Sequence, residues 1–544
     1  MKEKISRMKL LAIFSTLIML FIILKCGNYN NEQKGHPKES APEGEAKGLQ
    51  KVIIILAVKD IASYKKIESA VKNMGGRVTA GAPPEIILGL IPPEKESELS
   101  SLPEIRLITS KPLELEKLKG ITEKEKELLK QWNQRLSKTP EPTLIPNPPP
   151  PPNDALERPP IKMDEIEVKP PKSLPAGMEN GNTFLFENME RSISPELTAL
   201  TVSMSGKVAA MVFFPESNGA IDPNQENWAV GQKNNVIYKI LLGMDWWASL
   251  APVSQNLSFQ LFRLTDPSYE ATSYEPITRP HTDGDLWVDQ IMTNLGYTSG
   301  DSFTKVDSFN TWLKSYASAD ETFSIFVVND ELDADHMFSD VPCFAFAFRG
   351  GPLMVLTYEN DGYGISYMDA VFAHENGHIF WSWDEYASSS CTCSQNYNGA
   401  YNQNCENGCL DNVSCIMRSG VDPYIYNSIC DCTKGQIGWG SGICGSQGTG
   451  CTAGTCCNPV NGLPKPPYSV CGSTTEYICM KGSPKGKCGD DVYQRQVIRQ
   501  CSGMGLDCSG AATYGNYSLH QACSSKQVCS AITHSCKRSS ICSK

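Results

Sequence analysis

The cysteines divide this 544-residue chain into two parts that cannot be stabilised in the same way. Twenty of the 22 cysteines lie between Cys391 and Cys542, and only Cys26 and Cys343 precede them. Such density would indicate metal clusters in a cytosolic protein, but it indicates disulfide bonds in an exported one. We therefore expect a cysteine-poor region with a hydrophobic core, followed by a disulfide-stabilised region whose pairings the sequence does not determine.

The N-terminus has the features of an export signal. Basic residues precede an apolar run at 10–24, which is shorter than the roughly 20 residues that span a bilayer and suits a signal peptide. Cys26 follows this run as the acylated cysteine of a bacterial lipoprotein signal does, although Lys25 replaces the small residue expected there. We predict that residues 1–26 are a signal peptide or lipoprotein-type signal, and that the protein is secreted or at the cell surface. Membrane anchoring through Cys26 stays an open alternative.

Composition limits the classes of partner. The formal net charge is −11 and no basic stripe dominates any segment, which argues against nucleic acid. The hydrophobic content of 40% is sufficient for substantial cores, so disorder should be local. The length predicts two to four folded units.

The pattern of apolar runs and turns predicts how residues 49–182 are organised. Residues 49–112 read as β-α-β-β-α-β, a ferredoxin-like order that resembles the N-terminal propeptides of secreted proteases. A small interaction or spacer domain is the alternative. Residues 113–182 read as a charged and then proline-rich linker. Within it, 113–135 are charged and predicted to be helical, and the proline-rich tract 140–177 predicts an exposed, semi-rigid connection suited to proteolytic processing.

Two further regions complete the chain. Within 183–443, strands alternate with helices, and a strand pair precedes a long helix at 365–383. This order predicts an α/β (α+β) domain with a twisted sheet backed by helices. Residues 444–544 should be loop-rich disulfide modules, suited to docking at a cell surface or matrix rather than to chemistry.

The stretch AHENGHIFWSWDEY, residues 373–386, carries the most chemistry in the chain. On a helix, His374 and His378 lie on one face about 6 Å apart along the axis, so both can bind one metal ion. Glu375 would then lie beside the open metal position, where it can act as general base and afterwards as acid. Zinc is the expected metal, because water bound to it has a pKa near 7.

A third protein ligand is needed. The remaining histidines lie in the N-terminal tail, far upstream or in the disulfide region, so a carboxylate is expected. HENGHIFWSWD resembles the metzincin motif HExxHxxGxxH/D, and the resemblance implies that Asp384 is the third ligand. SCIMRSG, residues 414–420, resembles the methionine-turn of the same clan and implies that Met417 forms the floor of the metal site. Together these features resemble secreted bacterial zinc peptidases of the IgA-peptidase type.

One position departs from that motif. Trp381 stands where metzincins have the glycine that lets the chain turn back to the metal. In a straight helix Asp384 would lie about 12 Å beyond the midpoint of the two histidines. The helix must therefore end without glycine or proline, or another group is the ligand. Glu385 is the nearest substitute, Glu406 and Asp411 are remote ones, and Asp384 could instead orient a histidine.

Three weaker expectations complete the site. The resemblance implies that a tyrosine after the methionine-turn, Tyr424 or Tyr426, stabilises the transition state, and Tyr386 is a further candidate. The strand CFAFAFRG, 343–350, could be the edge along which a peptide pairs. The acidic loop at 329–340 is a candidate calcium site, although its spacing matches no EF-hand and favours a solvated loop.

These features predict a secreted zinc endopeptidase made as a zymogen, with protein or peptide substrates. The competing interpretation is a surface adhesion or glycan-binding protein with an inactive zincin-like domain. The intact Glu375 between the two histidines argues against that loss of activity.

Overall fold

The computed structural model describes residues 48–137, 155–160, 165–175 and 203–440 except 341, 362 and 419, together with six strand segments between 470 and 538. The predicted export signal at 1–26 and Cys26 lie outside these residues. None of the helices in the described part of the chain is long and apolar enough to cross a membrane.

The N-terminal elements follow the predicted β-α-β-β-α-β order. They are β1 (Gln50–Leu56), α1 (Ile61–Asn73), β2 (Arg77–Ala82), β3 (Ile86–Ile91), α2 (Glu96–Ser100) and β4 (Ile105–Thr109). The strands pair antiparallel in the order β4-β1-β3-β2, which is the order of a ferredoxin-like unit. The Asp60 side chain caps α1 by accepting a hydrogen bond from the Ser63 amide.

The elements that follow alternate as the sequence predicts. They are α3 (Glu123–Ser137), β5 (Ala155–Glu157), β6 (Lys207–Phe213), β7 (Glu216–Ser217), α4 (Val230–Leu250), β8 (Ser258–Arg263), β9 (Ala271–Thr272), α5 (Gly284–Asn294), α6 (Ser302–Ala317), β10 (Glu321–Val328), β11 (Ala345–Arg349), β12 (Leu353–Thr357), α7 (Met368–Ile379), β13 (Asn396–Tyr397), β14 (Ala400–Tyr401), α8 (Asp422–Ile425) and α9 (Asp431–Gln436). The protein is therefore of the mixed α/β class.

One mixed sheet of ten strands joins the N-terminal elements to the later ones. Its order is β4-β1-β3-β2-β8-β6-β10-β12-β11-β5. The junction is a parallel pairing of β2 with β8, in which Ala80 lies opposite Phe259. β11 runs antiparallel to β12, whereas β8, β6, β10 and β12 are parallel to one another. The predicted units 49–112 and 183–443 thus share a sheet.

Helices cover both faces of the central strands, which explains why those strands are apolar along their whole length. Alternate residues of β6 face opposite ways: Val208, Ala210 and Val212 belong to one core cluster, and Met211 and Phe213 belong to the other. α4 and α7 pack in the first core. α5 and α6 pack in the second.

The helix predicted within 113–135 is present as α3, whereas the described parts of the proline-rich tract, 155–160 and 165–175, are mostly half-buried or buried and not an exposed linker. Leu128, Leu129 and Trp132 of α3 are buried in the core that contains α4 and α7. Further along, β5 adds to the edge of the sheet beside β11, and the Lys172 amide donates to the Leu295 carbonyl. Proline favours extended backbone, and extended backbone can pair with a sheet edge as readily as it can span a gap.

The C-terminal region has more regular structure than the predicted loops. Its described strands are β15 (Val470–Lys481), β16 (Asp490–Gln500), β17 (Ala512–Tyr514), β18 (Ser518–Gln521), β19 (Gln527–Cys529) and β20 (Cys536–Arg538). β16 pairs with β15, β17 and β18, and β19 pairs with β20. The role in docking predicted for 444–544 stays a prediction.

Candidate metal centre

Close packing against α4 places the helix α7, which carries both histidines. A Cβ atom on Gly243 of α4 would lie 2.5 Å from Cδ1 of Phe372, so the two helices can approach closely only with glycine there. The Trp247 indole donates a hydrogen bond of 2.9 Å to the carbonyl of Ala373. A buried ion pair of 3.3 Å between Lys239 and Asp369 holds the start of α7. These contacts with α4 hold the part of α7 that precedes His374 and thereby determine the position of that histidine.

His374, His378 and Asp384 converge at the end of α7. One potential ligand atom of each lies within 4.8 Å of the others. Asp384 Oδ1 is 3.2 Å from Nε2 of His374 and 3.1 Å from Nε2 of His378. The His378 and Asp384 side chains are buried, while that of His374 is 13% exposed. Asp384 rather than Glu385 thus joins the two histidines.

The hydrogen bonds made by Nδ1 of the two histidines determine whether their Nε2 atoms carry a lone pair. Nδ1 of His374 lies 2.7 Å from the Ile416 carbonyl, and Nδ1 of His378 lies 2.9 Å from the Ser382 carbonyl. A carbonyl oxygen only accepts, so each Nδ1 must carry a proton. In neutral histidines both Nε2 atoms then present lone pairs to the Asp384 carboxylate. Three converging lone-pair donors repel one another unless a cation lies among them, and carbonyl-oriented imidazoles are typical of metal ligands.

The turn that brings Asp384 back is a helix C-cap formed without glycine. α7 ends at Ile379, the Trp381 amide donates to the His378 carbonyl at 2.8 Å, and the Ser382 amide donates to the Gly377 carbonyl at 3.0 Å. These two bonds define a Schellman motif, whose residue after the cap adopts left-handed backbone and is usually glycine. Here that residue is Trp381, with φ of +76°. The chain therefore turns at the position where the metzincin motif has glycine.

Packing of the Trp381 ring offsets the cost of this conformation. The indole stacks on Tyr397 with ring centroids 4.4 Å apart and an interplanar angle of 4°. On another side it lies so close to Gly350 that a Cβ there would be 2.3 Å from Cζ2 of the indole. Left-handed backbone costs a residue with a Cβ about 1–2 kcal/mol. A large stacked ring can offset this, and a small side chain at 381 cannot.

This geometry predicts an unusual order of stability. Trp381→Gly and Trp381→Ala both lose the stacking, so both should unfold at lower urea concentration than the native chain. The glycine variant should nevertheless be more stable than the alanine variant by about 1 kcal/mol, because only alanine retains a Cβ in left-handed backbone. Urea unfolding of the two metal-free variants measures the difference. The opposite order, which is the order found inside helices, would show that residue 381 is not in left-handed backbone.

The segment SCIMRSG lies against α7. The Ile416 carbonyl accepts the hydrogen bond from Nδ1 of His374, and Met417 is fully buried. A Cβ on Gly377 would lie 2.5 Å from the Met417 sulfur, so the methionine packs against the helix one residue before His378. The Met417 carbonyl also accepts a 2.9 Å bond from the Glu385 amide. These contacts place the Met417 sulfur against the histidine-bearing helix, and its role as the floor of a metal site stays a prediction.

Glu385, the alternative third ligand, faces another cluster. Its carboxylate accepts hydrogen bonds from Asn404 Nδ2 at 2.6 Å, from the Cys430 thiol at 2.8 Å and from the Thr433 hydroxyl at 3.1 Å. Burial raises the pKa of the Glu385 carboxyl above its usual value, and the hydrogen bonds from these donors offset only part of that rise. Glu385, Cys415 and Cys430 also have ligand atoms within 4.8 Å of one another, in a group separate from the histidines.

The remote candidates lie elsewhere. Within the described residues, neither Glu406 nor Asp411 belongs to the group that contains His374 and His378. Glu406 accepts a hydrogen bond from the Ala387 amide at 3.1 Å. The structure therefore leaves Asp384 as the carboxylate that meets the histidines.

The tyrosines implied by the resemblance are not brought beside the histidines by any described contact. Tyr424 is buried and stacks on Trp246, and burial, reinforced by the nearby Asp369 carboxylate, raises the pKa of its hydroxyl. Its placement beside Asp369 in the core gives no support to the prediction that Tyr424 stabilises a transition state. Tyr426 is 53% exposed. Tyr386 has its ring 6.1 Å from the ring of His374 and is the better placed of the three.

Disulfides hold the loop that follows the turn. Cys391 pairs with Cys405, and Cys393 pairs with Cys409. These overlapping loops carry Asn402, whose amide group donates to the Asp384 carbonyl at 2.7 Å. The disulfide bonds expected from Cys391 onward are thus present for these four residues, where they brace the loop beside the candidate site.

The acidic loop 329–340 does not form a comparable group. Among the described residues, none of its carboxylates belongs to a cluster of three ligand atoms within 4.8 Å. Asp330 is fully buried, and Oδ1 accepts the Glu359 amide at 2.8 Å. The structure gives the calcium prediction no support and assigns Asp330 to packing between the loop and the end of β12.

Asp330 should instead affect the pH dependence of stability. Burial raises the pKa of its carboxyl to about 7, so between about pH 4 and pH 7 the folded state holds a proton that the unfolded state has lost. Its stabilising effect is complete below pH 4 and is lost as the pH rises through 7, a change of up to about 4 kcal/mol. Asp330→Asn should therefore reduce the decrease in stability between pH 5 and pH 8, as measured by urea unfolding at both values. An unchanged decrease would contradict this assignment.

Sequence reasoning missed Arg349 at the end of β11. Its guanidinium lies 3.2 Å from the centre of the Trp383 ring, and the Asp384 and Glu157 charges favour its protonated form although burial lowers its pKa. Nothing in the sequence around a lone arginine after an apolar strand indicates a contact with Trp383. That contact depends on the turn at Trp381, which places Trp383 over the strand.

Comparison with protein-family models, with curated proteins and with solved structures found no match for this chain. The case for a function therefore depends on the geometry of its own residues.

Proposed function

We propose that the protein is a zinc-dependent endopeptidase related to the metzincins. The observation that carries the proposal is the convergence of His374, His378 and Asp384, with both Nδ1 protons donated to carbonyls and both Nε2 atoms directed at one carboxylate oxygen. Two imidazoles and one carboxylate are a common catalytic zinc set, and they leave a fourth position for water. Met417 against the helix and the turn at Trp381 support the relationship to that clan.

Each residue would have a distinct role. His374, His378 and Asp384 would hold the ion, which supplies a Lewis acid that makes water acidic enough to lose a proton near neutral pH. Glu375, adjacent to His374 on α7, would accept that proton and pass it to the leaving amine. The Ile416 and Ser382 carbonyls orient the imidazoles, and a change in either segment would misplace a ligand.

Protein or peptide substrates follow from the same arrangement. An extended peptide can add to the edge of a sheet through backbone hydrogen bonds that require no particular sequence. β11 ends beside the site, since the Gly350 amide donates a 3.0 Å bond to the His378 carbonyl. Secretion, synthesis as a zymogen and docking through 444–544 remain expectations that accompany this proposal.

Cleavage of unfolded casein by the purified full-length protein tests the proposal. We expect cleavage that a zinc chelator abolishes and that added zinc restores. The competing proposal, an adhesion or glycan-binding protein with an inactive zincin-like domain, predicts no cleavage with or without zinc. Cleavage that survives complete removal of metal would contradict a metallopeptidase.

A further inference from the structure

The edge of β11 that an added peptide would use is already paired within the chain. β5 runs parallel to β11, with Ala155 opposite Ala347, Leu156 opposite Phe348 and Glu157 opposite Arg349. β5 belongs to the proline-rich tract between α3 and β6, and in the described sheet it is the terminal strand. A short piece of extended chain therefore lies where an extended substrate would bind.

This piece reaches the candidate metal centre. Leu156 and Glu157 line a cleft of about 280 Å³ together with Trp383 and Asp384. Glu157 also forms an ion pair with Arg349, the residue that lies over Trp383. A peptide in this cleft would pass beside one of the three ligands.

The residue after β5 anchors the segment. Nη2 of Arg158 lies 3.0 Å from both carboxylate oxygens of Asp307, and the two side chains are 7% and 3% exposed. Nη1 of Arg158 donates a 3.1 Å bond to the carbonyl of Gly350, whose amide in turn donates to His378. Separating a buried ion pair leaves an uncompensated charge, so this anchor resists displacement.

We propose that residues 155–158 act as an intramolecular inhibitor, occupying the peptide-binding edge of β11 and holding the activity of the chain below its full value until they are displaced. The inference rests on the proposed peptidase function and adds the surface to which substrate binds and the segment that blocks it. The apparent affinity for substrate then falls in proportion to the fraction of molecules in which the edge is open.

Two variants release the segment without altering the metal ligands. Leu156→Pro removes a backbone donor and disfavours pairing in the sheet, and Leu156→Ala is its matched control with an unchanged backbone. Asp307→Asn weakens the Arg158 anchor by a nearly isosteric change, and it serves if the proline variant does not fold. We expect kcat/KM for an unfolded peptide to rise about tenfold or more in both releasing variants, because the open fraction increases.

A second readout does not depend on catalysis. A labelled peptide with the sequence NDALERPP, residues 153–160, should bind to Leu156→Pro in a Glu375→Gln background and bind the native chain much more weakly. Hydrogen exchange of the β11 amides should be faster in both releasing variants than in the native chain. Binding of equal strength to both proteins, or activity of the native chain equal to that of the released variants, would overturn the inhibitor. The absence of hydrolysis by every variant, with the peptide still binding, would instead overturn the proposed peptidase and leave this edge as a binding surface.

Discussion

Replacing Glu375 with Gln should give a folded, zinc-loaded protein that no longer cleaves peptides. The glutamine amide keeps the shape and burial of the side chain but cannot accept a proton from water, and loss of a general base costs about 10²–10⁴-fold in rate. Hydrolysis of a fluorogenic peptide measures kcat/KM, and metal analysis of the same preparation measures zinc. The Leu156→Pro background gives the largest signal if the native edge is blocked.

Glu406→Gln is a suitable control for this variant. Glu406 is a carboxylate on a neighbouring loop whose partners are the Ala387 amide and Arg418, and it lies outside the convergent group of the described residues. Its substitution should leave hydrolysis within about twofold of the native rate, as is usual for changes outside an active site. Retention of full activity by Glu375→Gln would remove Glu375 from the mechanism.

Asp384→Asn should release the metal, whereas Glu385→Gln should not. The amide oxygen of asparagine carries no charge and is a poor zinc ligand, so we expect zinc affinity to fall by more than about a hundredfold. Glu385 hydrogen-bonds Asn404 and the Cys430 thiol instead, and its substitution should reduce stability while leaving zinc affinity within about tenfold. Competition with a chromophoric chelator measures both affinities.

Asp384 and Glu385 form an internal control, because they are neighbours in the chain and both are buried carboxylate residues. Both residues are at most 3% exposed, so a general effect of removing a buried carboxylate would appear in both variants. A larger loss of zinc in Glu385→Gln than in Asp384→Asn would reverse the assignment of the third ligand.

The parts of the fold that follow from periodicity could be predicted. β6 is apolar along its whole length and is covered on both faces, and α7 begins with the buried run that its sequence indicates. The sequence of 113–135 indicated the helix α3, but the apolar spacing of Leu128 and Trp132, which packs it in the core, is hard to recognise among its many charged positions. The local sequence pattern thus predicted the helices and strands better than it predicted how they pack against one another.

Two features could not be predicted, for physical reasons. Left-handed backbone is rare for a bulky residue, so nothing local indicates that Trp381 turns the chain, and the stacking on Tyr397 comes from a residue sixteen positions later. Similarly, 155–158 have no strand-like pattern of their own. Their pairing with β11 depends on an exposed edge and on a buried partner, Asp307, about 150 residues away.

X-ray absorption at the zinc edge of the purified full-length protein tests the central claim most directly. It distinguishes the two convergent groups in the described residues, His374–His378–Asp384 and Glu385–Cys415–Cys430. The account predicts a first shell of nitrogen and oxygen only, at about 2.0–2.2 Å, with outer scattering from two imidazole rings. Sulfur scattering at about 2.3 Å would place the zinc on cysteine thiolates, such as those of Cys415 and Cys430, and would contradict the proposed catalytic centre.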